Sequence, residues 1–213
     1  TYIAGISYPG GGMQTVLDDV DAGGGVLYSD NEAWASLPKV STAGDFDGDG
    51  REEVAVLVLN NNSGSAHYKQ LTLRVVEDED EGFTSTETQL DTIDDLAAFT
   101  ADGAAAGYYY KLDIAAADVD GDGRDEICVT CLSDLWVLDD RAGGYQVMFT
   151  EHFPLLAGHS QYLRVAGADT DCDGKAEVVV AEGQMSGGTG RVYYYIYDAG
   201  GSELDSGLVQ TVD

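Results

Sequence analysis

Basic residues are what this sequence most conspicuously lacks: 10 Lys and Arg stand against 39 Asp and Glu in 213 residues, a formal net charge of −29. Phosphate recognition needs clustered Lys and Arg, so sequence-independent nucleic-acid binding is excluded. The same charge is repelled by an anionic membrane surface. No apolar run approaches the ~20 residues needed to span a bilayer, so membrane insertion is not expected. Helical periodicity is also nearly absent, with a short helical turn expected only in DTIDDLAAF (91–99). Cysteine is limited to Cys128, Cys131 and Cys172. Cys128 and Cys131 form a CxxC without a second pair, a weak zinc signal. Residues three apart on a strand point to opposite faces, so both are expected to be buried free thiols. The chain opens TYIAGISY, without an initiator Met, a basic leader or a signal-peptide core, and is expected to be a fragment or a processed piece.

What is present is enough for one substantial core. Hydrophobic residues make up 44% of the chain, which excludes wholesale disorder. Gly (28), Tyr (13) and short Val-rich runs, with only 3 Pro, fit many short strands joined by glycine turns.

A repeat organises these strands. DFDGDGREEVAV, DVDGDGRDEICV and DTDCDGKAEVVV align without gaps from Asp45, Asp118 and Asp169, at intervals of 73 and 51 residues. Small residues precede each loop: Thr42-Ala43-Gly44, Ala115-Ala116-Ala117 and Ala166-Gly167-Ala168. Apolar runs follow it (EVAVLVL, EICVTCL, EVVVA), as in strands buried on both faces. Downstream, VLDDRAGGYQVMF (137–149) matches YIYDAGGSELDSGLV (195–209), and VLDDVDAGGGVLY (16–28) is a third copy. Each unit therefore reads strand, acidic loop, strand, turn, strand, turn, strand. The expected fold is all-β, a segment of a β-propeller with four-stranded antiparallel blades, about three of them plus a partial one. The partial blade is 1–37, with TYIAGIS in the place of EEVAVLV and its front expected upstream. Full blades are expected at 38–107, 108–158 and 159–213, carrying loops 45–53, 118–126 and 169–177. In unit one, hairpin tips are expected at NNNSGS and at the acidic run 77–81. Small residues suit the first strand of a blade, which lies at the crowded axis.

The loops have the chemistry of a hard-cation site. Asp45, Asp47 and Asp49 occupy positions 1, 3 and 5, Arg51 offers its carbonyl at 7, Glu53 stands at 9, and Gly50 permits the sharp turn at 6. Loop two supplies Asp118, Asp120, Asp122, the Arg124 carbonyl and Glu126; loop three supplies Asp169, Asp171, Asp173, the Lys175 carbonyl and Glu177. Oxygen donors at this spacing suit Ca²⁺, which takes 6–8 of them, better than Mg²⁺ with its tight octahedron. Four carboxylates in one short loop repel strongly without a cation. Cys172 replaces a glycine at position 4, where no ligand is needed. An EF-hand requires Glu at position 12 and a following helix; here Val56, Val129 and Val180 stand in apolar strands. Three calcium sites are expected, none of them a helix-opening sensor.

Catalytic constellations are weak. GHSQY (158–162) ends in Tyr where a nucleophile elbow needs Gly, and His67, His152 and His159 have no zinc-type spacing. Tyr193, Tyr195 and Tyr197 share one strand face and are read as packing between blades rather than a sugar-stacking platform, with Tyr108–Tyr110 equally placed for either.

The three in-register loops resemble the FG-GAP and VCBS-type repeats of integrin-α-like β-propellers, whose blades carry a D-x-D-x-D-G-x-x-D calcium loop between the first two strands. The resemblance covers essentially the whole chain, although Glu replaces the usual Asp at position 9. It implies calcium at the three loops and a propeller of about seven blades, of which this chain is roughly half. The expected function is a calcium-stabilised, non-catalytic module of a secreted or cell-surface protein, binding a protein or carbohydrate ligand on the propeller face for adhesion. The remaining blades of the same propeller are its other expected partner. The alternative is a scaffold propeller in a secreted polysaccharide-processing enzyme, and the acidity fits either an extracellular calcium protein or high-salt adaptation.

Overall fold

The computed structural model describes residues 2–7, 14–19, 25–30, 39–59, 68–79, 82–93, 111–141, 144–154, 160–186 and 189–212. Among these residues all regular structure beyond single turns is antiparallel strand, and no helix is long and apolar enough to cross a membrane. The order is β1 (Tyr2–Ser7), β2 (Gln14–Asp19), β3 (Gly25–Asp30), β4 (Lys39–Gly44), β5 (Glu53–Leu59), β6 (Gln70–Glu79) and β7 (Gly82–Thr92). It continues with β8 (Leu112–Ala117), β9 (Glu126–Cys131), β10 (Asp134–Arg141), β11 (Gly144–His152), β12 (Ser160–Ala168), β13 (Glu177–Ser186), β14 (Thr189–Tyr197) and β15 (Glu203–Val212).

Strands pair only with their sequence neighbours, giving one three-stranded sheet, β1-β2-β3, and three four-stranded sheets, β4–β7, β8–β11 and β12–β15. Three of the sheets thus have the four-stranded meander anticipated from the repeat. The third strand bulges against the fourth in each: between Leu71 and Thr72, between Val137 and Leu138, and at two places in β14. Such bulges add local twist.

Burial explains the continuous apolar runs. Every residue of β5 and of β9 is buried, and β9 has sheet material against both faces. Alternation along β9 divides its side chains between two cores. Ile127, Val129 and Cys131 join Leu57, Leu59 and Leu73 of the preceding sheet, whereas Cys128 joins Leu163, Val178 and Val180 of the following one. The two thiols of the CxxC therefore lie on opposite faces, both 0% exposed and free, with burial pushing Cys128 up to about 12.

The first strands of these sheets, β4, β8 and β12, pack against one another in succession. That contact accounts for the small residues before each loop. A Cβ at Gly167 would fall 2.0 Å from the Ala117 Cβ, and one at Gly44 would fall 2.8 Å from the Ala116 Cβ.

Two local expectations are revised. Asp91 and Thr92 end β7 instead of opening a helical turn, and 94–99 lie outside the described residues. The acidic run at 77–81 is not wholly a tip: β6 continues through Glu79, pairing Glu77 with Thr84 and Glu79 with Gly82. Backbone pairing with β7 carries the strand through Glu79 despite the like charges along the sequence. The tips at 60–65 and 80–81 lie outside the described residues.

Candidate metal centre

Each acidic loop bridges two paired strands. Position 1 follows the last residue of β4, β8 or β12, and position 9 is the first residue of β5, β9 or β13. The loop itself is held by its own aspartates. Asp45 Oδ1 accepts from the Gly48 amide at 2.9 Å and its Oδ2 from the Gly50 amide at 3.0 Å, while Asp47 and Asp49 accept from the amides two residues on. Loop two repeats this set from Asp118, and in loop three Asp169 accepts from the amides of Asp173 and Gly174. Positions 4 and 6 require positive φ: Gly48 and Gly50 sit at 80° and 86°, and Cys172 is forced to 65°.

The position-9 glutamates fold inward. Glu53 is 3% exposed and Glu126 0%, and their Oε2 atoms accept from the amides of Phe46 (2.7 Å) and Val119. Glu177 accepts from the Thr170 amide (2.6 Å) and hydroxyl. Burial, helped by neighbouring aspartates, raises Glu53 and Glu126 to about 7. A divalent ion beside these carboxylates reverses that preference by favouring the charged form.

Among the described residues, carboxylate oxygens come within 4.8 Å of one another in four groups: Asp45–Asp47–Glu53, Asp118–Asp120–Asp122, Asp120–Glu126–Asp139 and Asp169–Asp171–Glu177. Positions 1, 3 and 9 thus converge in the outer loops, with Asp49 and Asp173 standing apart. In the middle loop positions 1, 3 and 5 converge, and positions 3 and 9 also converge with Asp139 of β10. The Arg124 guanidinium binds Asp122 and also donates to the Asp140 carbonyl at 2.6 Å. That pairing holds Asp122 below the usual carboxylate range. At position 7, the amides of Arg51, Arg124 and Lys175 each donate to the position-5 aspartate, at 2.8–2.9 Å. The carboxylates present fit a hard oxygen-seeking cation: three acids converge per site, and the buried Glu126 Oε1 has no hydrogen-bond partner. Such an ion would neutralise the carboxylates and join the ends of two strands.

The loops are also linked in series. The Asp125 amide donates to the Asp45 carbonyl at 2.8 Å and the Ala176 amide to the Asp118 carbonyl at 2.9 Å, so position 8 of one loop bonds position 1 of the preceding one. Asp125 Oδ2 returns an acceptor to the Asp45 amide at 3.1 Å. The position-7 side chain lies over the position-4 glycine of the preceding loop: a Cβ on Gly48 would meet Arg124 at 2.8 Å, and one on Gly121 would meet Lys175 at 3.0 Å. Cys172, at the same position of the last loop, is exposed.

Asp139 is the site residue that the sequence reading missed. It lies on the third strand, outside the loop motif, and only strand register brings it near. Of the other singled-out residues, His152 pairs with Asp134 across β10 and β11 at 2.6 Å, while His67 and His159 lie outside the described residues. Tyr195 and Tyr197 pack edge-on against Phe153, with centroids 5.0 and 6.4 Å away, which places them between two sheets. Tyr108–Tyr110 lie outside the described residues. No family model and no curated protein matches the chain.

Proposed function

We propose that this chain is a calcium-stabilised, non-catalytic segment of a β-propeller built from FG-GAP/VCBS-type repeats, with one structural calcium ion at each of the loops 45–53, 118–126 and 169–177. The observation that carries this reading is the convergence of loop carboxylates in all three units, at the junction of each unit's first two strands. Packing of β4, β8 and β12 in succession supports a propeller-like arrangement of the sheets. In this reading calcium does no chemistry on a substrate; it lets repelling carboxylates coexist and fixes the turn that sets each sheet against the next. Its setting is extracellular or cell-surface, where calcium modules bind with dissociation constants of about 10⁻⁴–10⁻³ M. The module serves adhesion by binding a protein or carbohydrate ligand on its loop face, alongside the remaining blades of its propeller.

Thermal melts test the calcium. At 10 mM CaCl₂ such affinities stabilise by about 1.4–2.7 kcal/mol per site, about 4–8 kcal/mol for three, so EDTA should lower the melting temperature by about 10–30 °C, and MgCl₂ should restore less than CaCl₂. Identical melts in CaCl₂ and EDTA would overturn the reading.

A further inference from the structure

We propose that Asp139 of β10 is a metal ligand, completing with Asp120 and Glu126 a site in which the middle loop holds its ion more tightly than the two outer loops do. The proposal rests on the calcium reading of the loops and extends it to a strand outside the motif.

Strand register supplies the approach. β9 and β10 pair Leu138 with Ile127, and one further step sets Asp139 opposite Glu126 on the same face. One oxygen each from Asp120, Glu126 and Asp139 lies within 4.8 Å of the others, and Glu126 and Asp139 are only 0% and 4% exposed. Two carboxylates buried this close together are costly unless charge is supplied between them.

The neighbouring arginines do not supply it to Glu126. Arg141 Nε donates to Asp139 Oδ2 at 2.6 Å, and Arg124 Nη2 stands 3.7 Å from Asp139 Oδ1 while its donors go to Asp122 and the Asp140 carbonyl. Glu126 Oε2 takes the amides of Val119 and Asp120, the latter at 3.2 Å, and Oε1 is buried with no hydrogen-bond partner. A buried carboxylate oxygen with no donor is an acceptor in want of a cation.

The same step of register in the other sheets sets Glu77 opposite Glu53 and Asp198 opposite Glu177. Those acids are engaged elsewhere. Asp198 Oδ1 caps its own turn through the amides of Gly200 (2.9 Å) and Ser202 (2.8 Å), and Glu77 accepts from the Thr86 hydroxyl at 3.3 Å. Neither is among the converging oxygens of its loop. The middle site alone therefore draws a ligand from a third strand.

Calorimetric titration of the full chain with CaCl₂ tests this. The wild type should show one site tighter than the other two. Asp139→Asn should weaken that tight site by ~10-fold or more and leave the weaker pair in place, whereas Asp198→Asn should leave the tight site unchanged. An unchanged tight site in a folded Asp139→Asn chain would overturn the proposal while the calcium reading stands. No binding heat and no calcium-dependent melt in the wild type would overturn both. Should Asp139→Asn fail to fold, a lanthanide-soaked wild-type crystal decides. An anomalous peak within ~2.6 Å of an Asp139 oxygen supports the site; a peak held by Asp118, Asp120 and Asp122 alone overturns it.

Discussion

The middle sheet, β8–β11, and the last sheet, β12–β15, come from similar sequence and differ in what covers them. β9 is buried at every position, whereas β13 alternates buried Val178 and Val180 with half-buried Val179 and Ala181. The outer face of the last sheet carries a shallow groove lined by Tyr162, Arg164, Ala181, Gly183 and Val192, and its β15 edge exposes Leu204, Leu208 and Val209 at 53–63%. An apolar run in a second strand thus reports the capacity to be buried on both faces, and a neighbouring sheet decides whether it is. The unit that stabilises this architecture is the sheet-to-sheet interface rather than the individual meander.

The sharpest way to break the comparison is to cut equal side chains from the two regions. Ile127 is 0% exposed in the core between the first and second four-stranded sheets, and Ile127→Ala should cost about 2–5 kcal/mol in denaturant unfolding. Leu208 is 54% exposed, and Leu208→Ala should stay within about 0.5 kcal/mol. Equal losses at the two positions would mean that the last sheet is as well covered as the middle one.

Much of this difference could not be read from sequence, and the reasons are specific. Period-two apolar runs and the thrice-repeated aspartates made the strands and loops legible, including the opposite faces taken by Cys128 and Cys131. Which acids converge was less legible. Position 7 is defined by its backbone carbonyl, yet its side chain also enters: Arg124 pairs with Asp122 in the one loop where the position-5 aspartate joins the group. Asp139 escaped because its proximity to Glu126 depends on inter-strand register, and no motif within one loop encodes that. Extending the third-strand register by one residue reaches an acid in each four-stranded sheet, Glu77, Asp139 and Asp198 (the last just beyond β14), so comparing third strands by pairing register offers the missing signal.

A smaller effect separates two glycines, one before the last loop and one within it. Gly167 lies where β12 meets β8, and an added methyl would overlap Ala117, so Gly167→Ala should destabilise by about 1–3 kcal/mol by forcing the sheets apart. Gly174 has nothing within 4 Å of such a methyl, but its φ of 93° penalises any side chain, so Gly174→Ala should cost about 1 kcal/mol through the turn alone. The proposed calcium adds a second readout, because Gly174→Ala perturbs the loop proposed to hold the ion and Gly167→Ala perturbs the interface. The cost of Gly174→Ala should therefore change when calcium is removed, while that of Gly167→Ala should not.

The gentlest probe leaves the fold intact and reads accessibility. Cys172 sits exposed on the last loop, at the place where Lys175 covers Gly121 in the preceding one. Cys128 and Cys131 flank the two faces of the middle sheet, and desolvation keeps both thiols protonated, Cys128 up to about 12. The thiolate is the reacting form, so a thiol reagent such as DTNB at pH 8 should modify one cysteine promptly and the other two only as fast as the middle sheet opens. Denaturant should bring the count to three. Because Cys128 faces the last sheet and Cys131 faces the sheet before, peptide mapping of partly labelled protein can tell which interface opens first. If the open-faced last sheet is the weaker partner, Cys128 should be labelled ahead of Cys131. The reverse order would mean that exposure of an outer face does not weaken the interface behind it.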